Sequence, residues 1–159
     1  EHACRWYRIH LERGGSPVSL AVNVSKAGLF QNDFVDFYTD IKDKYSVPDG
    51  VLELEFTESM LAADTELFAE LVVNLNARGF ICSLDDFGSG YSSLNLLKNL
   101  PIDVLKLDIL FFQKSRDIRR ERIVVSNVIN MAKELDIKTI AEGVEDMDTV
   151  EFLRKAAAM

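Results

Sequence analysis

Two adjacent carboxylates, Asp85 and Asp86, are the residues of this chain whose types and spacing most clearly suggest chemistry. They end an apolar, strand-like run, and a turn containing Gly88 and Gly90 follows at once. Neighbouring carboxylates repel each other unless cations relieve the repulsion, so such a pair suits a divalent metal site. Four other apolar runs also end on a carboxylate, an amide or a lysine. This recurrence predicts one polar site assembled from many strand ends, with metal-assisted chemistry on a phosphate ester.

The supply of metal-binding side chains favours oxygen ligands. His2 and His10 are the only histidines, and Cys4 and Cys82 are the only cysteines, with no spacing typical of a zinc site. Any metal is therefore expected to be held by oxygen, which favours Mg²⁺ or Mn²⁺. We interpret both cysteines as free thiols in a reducing cytoplasm.

Charge and length exclude several other functions. The chain has 159 residues, 48% of them hydrophobic, enough for one domain with a sizeable core. Its net charge of −8 argues against DNA binding or lipid binding by general positive potential. No apolar run reaches the roughly 18 residues of a membrane span, so no membrane contact is expected of this segment. Because the chain begins at Glu1, we expect it to be an excerpt from a longer protein.

Strand-like runs alternate with helical patterns along the whole chain. Such alternation predicts βαβ units and a parallel sheet. The predicted strands are 18–25, 51–56, 80–85, 104–108 and 139–142. The predicted helices are 3–12, 27–45, one with an apolar stripe over 67–75, 92–99, 119–135, and one beginning at Asp148.

The two candidate architectures are a doubly wound sheet and a (β/α) barrel. Each strand has one apolar face, and polar side chains lie on the opposite face near its carboxyl end. In a barrel these residues meet at the mouth, where active sites of that fold lie, whereas an open sheet would spread them apart. We therefore predict a barrel. The converging residues are Asn23, Glu55, Asp85, Lys106, Asp108 and Glu142.

Five motifs, in this order and at this spacing, resemble the EAL domain family of bacterial cyclic di-GMP phosphodiesterases. They are Val22-Asn23-Val24-Ser25, Glu53-Leu54-Glu55-Phe56-Thr57-Glu58-Ser59, Asp85-Asp86-Phe87-Gly88-Ser89-Gly90-Tyr91-Ser92-Ser93, Lys106-Leu107-Asp108 and Ala141-Glu142-Gly143-Val144-Glu145. Each motif alone is weak, but all five in order are specific. The resemblance implies a TIM-like barrel that hydrolyses cyclic di-GMP to linear pGpG by two-metal catalysis.

The same resemblance assigns roles to the residues of the site. It implies that Asn23, Glu55, Asp85 and Glu142 are ligands of a first divalent cation, Mg²⁺ or Mn²⁺, and that Asp85 and Asp86 help to hold a second. Lys106 would lie near the attacking water, as a general base or an electrostatic guide. The alternative for Lys106 is a structural salt bridge to Asp108.

A further set of residues is expected to support the site. The resemblance implies that Glu58 anchors the glycine-rich loop, and that this loop shapes the second metal site and links it to a dimer interface. Glu145 is either close to the site or exposed. The loop residues concerned are Gly88, Ser89 and Gly90. No residue that contacts the substrate is identified.

The resemblance also implies what lies outside this chain. The Glu-Ala-Leu signature and the last strand of the family are absent, so residues 1–159 are expected to be a partial EAL domain with about five strands. A homodimer and a sensory or GGDEF-type domain in the parent protein are expected. The alternatives are a non-catalytic EAL module that binds cyclic di-GMP or a protein partner, and an unrelated metal-dependent barrel lyase or isomerase. Whether this exact chain is active by itself stays open.

Overall fold

The computed structural model describes residues 1–29, 31, 33–61, 65–88, 94–108 and 117–158. Within them, strands and helices alternate as predicted. The strands are β1 (Leu20–Asn23), β2 (Leu52–Thr57), β3 (Ile81–Phe87), β4 (Val104–Leu107) and β5 (Lys138–Ala141). The helices are α1 (His2–Glu12), α2 (Phe34–Lys44), α3 (Glu58–Leu61), α4 (Thr65–Ala77), α5 (Leu94–Asn99), α6 (Ile118–Glu134) and α7 (Met147–Ala158).

The strands form one parallel sheet in the order β1-β2-β3-β4-β5. A doubly wound sheet reverses its strand order at a switch point, whereas a barrel adds each strand beside the previous one. The observed order therefore agrees with the predicted barrel. Among the described residues β5 does not pair with β1, so the sheet is an incomplete barrel.

One face of the sheet is apolar and is covered by helices. Leu54, Phe56, Leu84 and Leu105 are almost completely buried. Phe56 packs edge-to-face against Phe68 of α4, with ring centroids 5.0 Å apart. Burying each such side chain stabilises the fold by roughly 1.5–3 kcal/mol. Because side chains alternate along a strand, this packing directs the intervening polar residues to the opposite face.

The helix boundaries correct two of the sequence predictions. We expected a helix over 27–45, but hydrogen-bonded turns, such as the one from Gly28 N–H to the Ser25 carbonyl, precede α2, which begins at Phe34. The final helix was expected to begin at Asp148. It begins one residue earlier, and the carboxylate of Asp146 accepts a hydrogen bond from the Thr149 amide at 2.7 Å.

The amino-terminal end of the sheet is tied together by a buried lysine. Lys42 of α2 pairs with Asp49, in the turn before β2, and donates to the Arg78 carbonyl, before β3, at 2.9 Å. Gly50 N–H donates to the Gly79 carbonyl at 2.8 Å, which joins the same two turns. This end of the sheet thus holds a structural network, at the opposite edge from the converging polar residues.

Both cysteines of the chain lie in its interior. Cys4 and Cys82 are both free and buried, as expected of thiols. Burial raises the pKa of the Cys82 thiol, which keeps it protonated and unreactive. Among the described residues, no helix is long and apolar enough to cross a membrane.

Candidate functional site

The carboxyl ends of the strands bring the predicted polar residues to one edge and one face of the sheet. Asn23 and Glu55 are partners in the register of β1 and β2, and Thr57 and Asp85 are partners across β2 and β3. Glu142 follows β5 directly, where its N–H donates to the Leu107 carbonyl at 3.0 Å. The sheet thus places amide and carboxylate oxygens from different strands on the same side.

Lys106 is the centre of this group. Its ammonium makes ion pairs with Glu55 of β2 and with Glu142 after β5, the latter at 2.7 Å. The sequence leaves a structural salt bridge to Asp108 as the alternative for Lys106. The two carboxylates that the structure pairs with Lys106 come from other strands, and strand neighbours cannot be read from sequence.

The two carboxylate partners of Lys106 differ in burial. The side chains of Glu55 and Lys106 are 6% and 11% exposed, whereas that of Glu142 is 45% exposed. Burial by itself lowers the pKa of the Lys106 ammonium, but its hydrogen bonds to Glu142 and Glu55 outweigh that effect and raise the pKa. Lys106 is therefore protonated in this arrangement.

A β-bulge lets two consecutive carboxylates lie beside the same lysine. Leu84 pairs with Leu105 and Phe87 pairs with Leu107, so Asp85 and Asp86 together lie opposite Lys106. Asp86 has a left-handed backbone with φ of 58°, and its N–H donates to the Asp85 carboxylate at 2.9 Å. Regular alternation would direct the two side chains to opposite faces, and the bulge removes this alternation.

The acidic side chains at this edge act on one another electrostatically. The pKa of Asp86 is raised, first by partial burial and then by the charges of Asp85, Asp108 and Glu142. The positive charge of Lys106 opposes this rise. These carboxylates are therefore within electrostatic reach of each other, and each added negative charge makes the site more attractive to a cation.

The donor set fits a hard divalent cation in chemistry. The predicted ligands Asn23, Glu55, Asp85, Asp86 and Glu142 offer only oxygen, which Mg²⁺ and Mn²⁺ prefer. In the part of the chain that the structure describes, however, no three acidic, histidine or cysteine side chains are already grouped as a metal would require. The side chain found between Glu55 and Glu142 is that of Lys106.

The residues predicted to support the site lie at different positions relative to the carboxyl ends of the strands. Glu58 begins the short helix α3, which the sequence prediction missed, directly after β2. Gly88 follows the bulge with φ of 99°, a conformation that glycine adopts without strain. Asp108 N–H donates to the Phe87 carbonyl at 3.3 Å, and Glu145 is exposed. Ser89 and Gly90 lie outside the described residues.

Thr57 is a site neighbour that sequence reasoning did not single out. It pairs with Asp85 in the register and contacts the Ser59 hydroxyl at 3.1 Å. The alternation Glu53, Glu55, Thr57 along β2 was the signal that could have identified it.

A parallel α/β sheet with acidic residues at its carboxyl edge defines a barrel-type domain with a candidate cation site. The family model described as EAL domain matches residues 1–158 of the sequence, and the chain therefore belongs to the EAL domain family. The predicted family and fold class are thus confirmed.

Two curated relatives come from Pseudomonas aeruginosa. The cyclic di-GMP phosphodiesterase PA2567 is 33% identical over 87% of this chain, and the bifunctional diguanylate cyclase/cyclic di-GMP phosphodiesterase MucR is 34% identical over 98%. The chain spans 24% and 23% of the lengths of these relatives.

Solved structures give the same fold. The EAL domain of Mycobacterium smegmatis DcpA is 32% identical with a TM-score of 0.88, and the PaMucR phosphodiesterase in complex with c-di-GMP is 34% identical with a TM-score of 0.85. Both matches cover 98% of this chain, and they cover 70% and 63% of those chains, respectively.

Proposed function

We propose that this chain is the catalytic part of a cyclic di-GMP phosphodiesterase that produces linear pGpG. The observation that carries the proposal is the Glu55–Lys106–Glu142 cluster at the carboxyl edge of the sheet, in an EAL domain. Relatives named as cyclic di-GMP phosphodiesterases, and a related phosphodiesterase solved with c-di-GMP, support the substrate.

The acidic residues at the carboxyl ends of the strands, here called the acidic edge, would bind the cations of the reaction. Asn23, Glu55, Asp85 and Glu142 would hold the first, and Asp85 with Asp86 would help to hold the second. When bound, divalent cations neutralise the charge of the phosphate and lower the pKa of a coordinated water. Adjacent aspartates suit two cations because each cation relieves the repulsion between their carboxylates.

Lys106 would act as an electrostatic guide in this reaction. Its ion pairs with Glu55 and Glu142 support a positively charged Lys106, and a protonated amine cannot accept a proton as a general base. The ammonium would instead orient the attacking water and stabilise negative charge that develops on the phosphate.

We further propose that residues 1–159 are part of a larger EAL domain. The chain covers 70% of the solved DcpA domain, and both edge strands of the described sheet, β1 and β5, lack a second neighbour. Additional strands would complete the barrel around the inner polar face. The length of the bifunctional relative MucR supports further signalling domains, such as a GGDEF-type domain, in the same polypeptide.

We propose in addition that the protein is a cytoplasmic homodimer. Ile118, Ile123 and Val124 on α6 are each more than half exposed, which is a costly surface for an isolated domain and supports contact with a second copy. The free thiols Cys4 and Cys82 support a reducing compartment.

The direct test is hydrolysis of cyclic di-GMP with Mn²⁺ by the whole polypeptide in which this chain occurs, with pGpG followed by chromatography. Glu55→Gln removes one proposed ligand charge and should lower turnover by more than about a hundredfold, beyond the typical loss for groups that merely support a ligand. Glu53→Gln is the matched control, because Glu53 lies on the same strand and the same face, two residues before Glu55.

Each outcome of this assay has a clear meaning. Product that disappears in Glu55→Gln and persists in Glu53→Gln supports the assignment. Equal loss in both variants would indicate general damage to β2 and would overturn the ligand role of Glu55. Absence of product from the unaltered polypeptide would favour the non-catalytic alternative, an EAL module that binds cyclic di-GMP or a protein partner.

A further inference from the structure

Lys106 joins three strands of the sheet through one ammonium group. It lies on β4, it pairs with Glu55 on β2, and it pairs with Glu142 at the end of β5. Strand β3 lies between β2 and β4, and its residue opposite Glu55 is the small, fully buried Ser83. A small side chain at this position lets the long Lys106 side chain reach a carboxylate two strands away.

The buried carboxylate of Glu55 depends on this contact. A charge removed from water is strongly destabilising unless it is paired. The partner seen for Glu55 is Lys106, and both side chains are almost completely buried. In this arrangement the Lys106 ammonium balances the negative charge of the Glu55 carboxylate.

The same oxygen atoms are the proposed cation ligands. Lys106 contacts Oε1 of Glu55 and Oε1 of Glu142, and both residues belong to the set that would hold the first divalent cation. A divalent cation held by these carboxylates would be repelled by the nearby ammonium, because like charges at short range repel strongly. The ammonium and a divalent cation therefore cannot both hold these oxygens in the same way.

The arrangement of the carboxylates is consistent with this competition. Among the described residues, acidic side chains are not grouped in threes as a metal site requires, although several are within electrostatic reach of Asp86. Glu55 and Glu142 are drawn towards the lysine. Binding of a divalent cation would therefore require Lys106 to give up at least one of its two contacts.

We propose that Lys106 is a positioning residue that holds Glu55 and Glu142 in place before a divalent cation binds and then competes with that cation for their oxygen atoms. The inference rests on the proposed function in one respect, the use of Glu55 and Glu142 as cation ligands. It adds a role for Lys106 that is separate from its action on the attacking water, because this role belongs to the metal-free protein.

The test compares the metal-free and metal-bound states of Lys106→Met in the whole polypeptide. Methionine keeps most of the length of the side chain and removes its charge. In the presence of a chelator, the melting temperature should fall because Glu55 loses its buried partner. In a calorimetric titration with Mn²⁺ alone, the variant should bind about tenfold more tightly or better, because the competing charge is gone.

Lys138→Met is the matched control. Lys138 lies on β5 and, through the register of Val104 with Lys138 and Lys106 with Ile140, on the same face as Lys106 but at the other end of the sheet. The Lys138→Met variant loses the same positive charge as Lys106→Met, but its affinity for Mn²⁺ should be unchanged. If Lys106→Met binds Mn²⁺ no more tightly than Lys138→Met, the competition is overturned. If its metal-free melting temperature equals that of Lys138→Met, the positioning role is overturned.

A measurement on the unaltered protein keeps the inference testable if Lys106→Met does not fold. The side-chain ¹⁵Nζ signal of Lys106, assigned by its absence in Lys106→Arg, should shift when Mg²⁺ is added, and a signal that does not move would overturn the inference. Failure of the proposed function can be distinguished from failure of this inference about Lys106. If the unaltered protein binds Mn²⁺ but produces no pGpG, the proposed activity fails while the competition is still decided by the affinities of the two variants. If neither the unaltered protein nor Lys106→Met binds Mn²⁺, both the proposed function and the inference about Lys106 are overturned.

Discussion

Asp86 combines an unusual backbone with an unusual charge environment. Its left-handed φ of 58° is tolerated by aspartate and asparagine better than by most residues, because their short polar side chains bond locally. Its exposed carboxylate is within electrostatic reach of Asp85, Asp108 and Glu142, whose charges raise its pKa, and of Lys106, which lowers it. The backbone can therefore keep its conformation in a variant that changes only the charge.

Asp86→Asn should stabilise the metal-free protein near neutral pH. The fold raises the pKa of Asp86, so the folded state favours its protonated form. The stability from this group is fully present below the ordinary carboxyl pKa and is lost as the pH rises through the raised pKa. The advantage of the variant should therefore grow as the pH rises from the ordinary carboxyl pKa through the raised pKa of Asp86 and should then stay constant, as measured by urea unfolding in a chelator.

Asp136→Asn provides the comparison for Asp86→Asn. Asp136 also has a left-handed backbone, with φ of 57°, but it lies in the exposed turn after α6. If the two variants show the same dependence of stability on pH, the electrostatic account of Asp86 is wrong.

At the scale of residues, the sequence predicts which side chains face the site but not which ones touch. Alternation along strands was enough to place Asn23 and Glu55 on one face, and the register confirms that they are partners. The contacts of Lys106 depend on the order of strands in the sheet and on the reach of its side chain. Neither is written in the local pattern, so Glu55 and Glu142 could not be foreseen as its partners.

Among the elements, the turn between α4 and β3 shows how one glycine fixes a strand entry. Gly79 has φ of 79°, and Phe80 N–H donates to the Leu75 carbonyl at 3.1 Å, which closes the helix. A Cβ atom at Gly79 would collide with the side chain of Asp49, the partner of Lys42. Both the backbone and the neighbouring ion pair therefore require glycine.

Gly79→Ala should destabilise the fold by more than the backbone strain alone. Strain of a left-handed alanine costs about 1–2 kcal/mol, and displacement of Asp49 adds to it. Gly14→Ala separates the two effects, because Gly14 has φ of 81° but no atom within 4 Å of an added Cβ. Urea unfolding of both variants gives the difference, and equal losses would show that Asp49 adjusts without cost.

The sequence predicted the existence of most elements better than their faces and ends. In the helix predicted over 119–135 not every apolar residue faces inward, since Val124 of α6 and Leu135 directly after it are 52% and 45% exposed while Val125, Val128 and Ala132 are buried. Apolar residues next to the buried stripe of a helix cannot be distinguished from it by hydrophobicity alone. Leu67 of α4, 48% exposed, was misassigned for the same reason.

Across the whole molecule, the two ends of the sheet each contain a lysine with a different role. The lysine at the amino-terminal end stabilises the fold, and the lysine at the carboxyl end belongs to the candidate site. Lys42 binds the turns that precede β2 and β3, whereas Lys106 binds carboxylates where the strands end. The sequence indicated the second end through its recurring polar residues. It gave no sign of the first, because Lys42 is an ordinary lysine within an amphipathic helix.

Lys42→Met should lower stability without changing Mn²⁺ affinity. Loss of its hydrogen bond to the Arg78 carbonyl and of its pair with Asp49 should cost about 1–3 kcal/mol in urea unfolding. Lys44→Met, on the same helix but with an exposed partner, should change stability little. A change in Mn²⁺ affinity for Lys42→Met would show that the two ends are coupled through the sheet.

The strand order has a consequence for how the protein folds. The polar groups at the carboxyl ends of the strands come from all five strands or the residues directly after them, and Lys106 joins carboxylates from β2 and from the residue after β5, which are far apart along the chain. Long chain closures must therefore be completed before these groups meet, which is slow compared with the formation of local helices. The ion pairs of Lys106 therefore require β2, β3, β4 and the end of β5 to be in place, and they are absent from any species in which these strands are not yet paired.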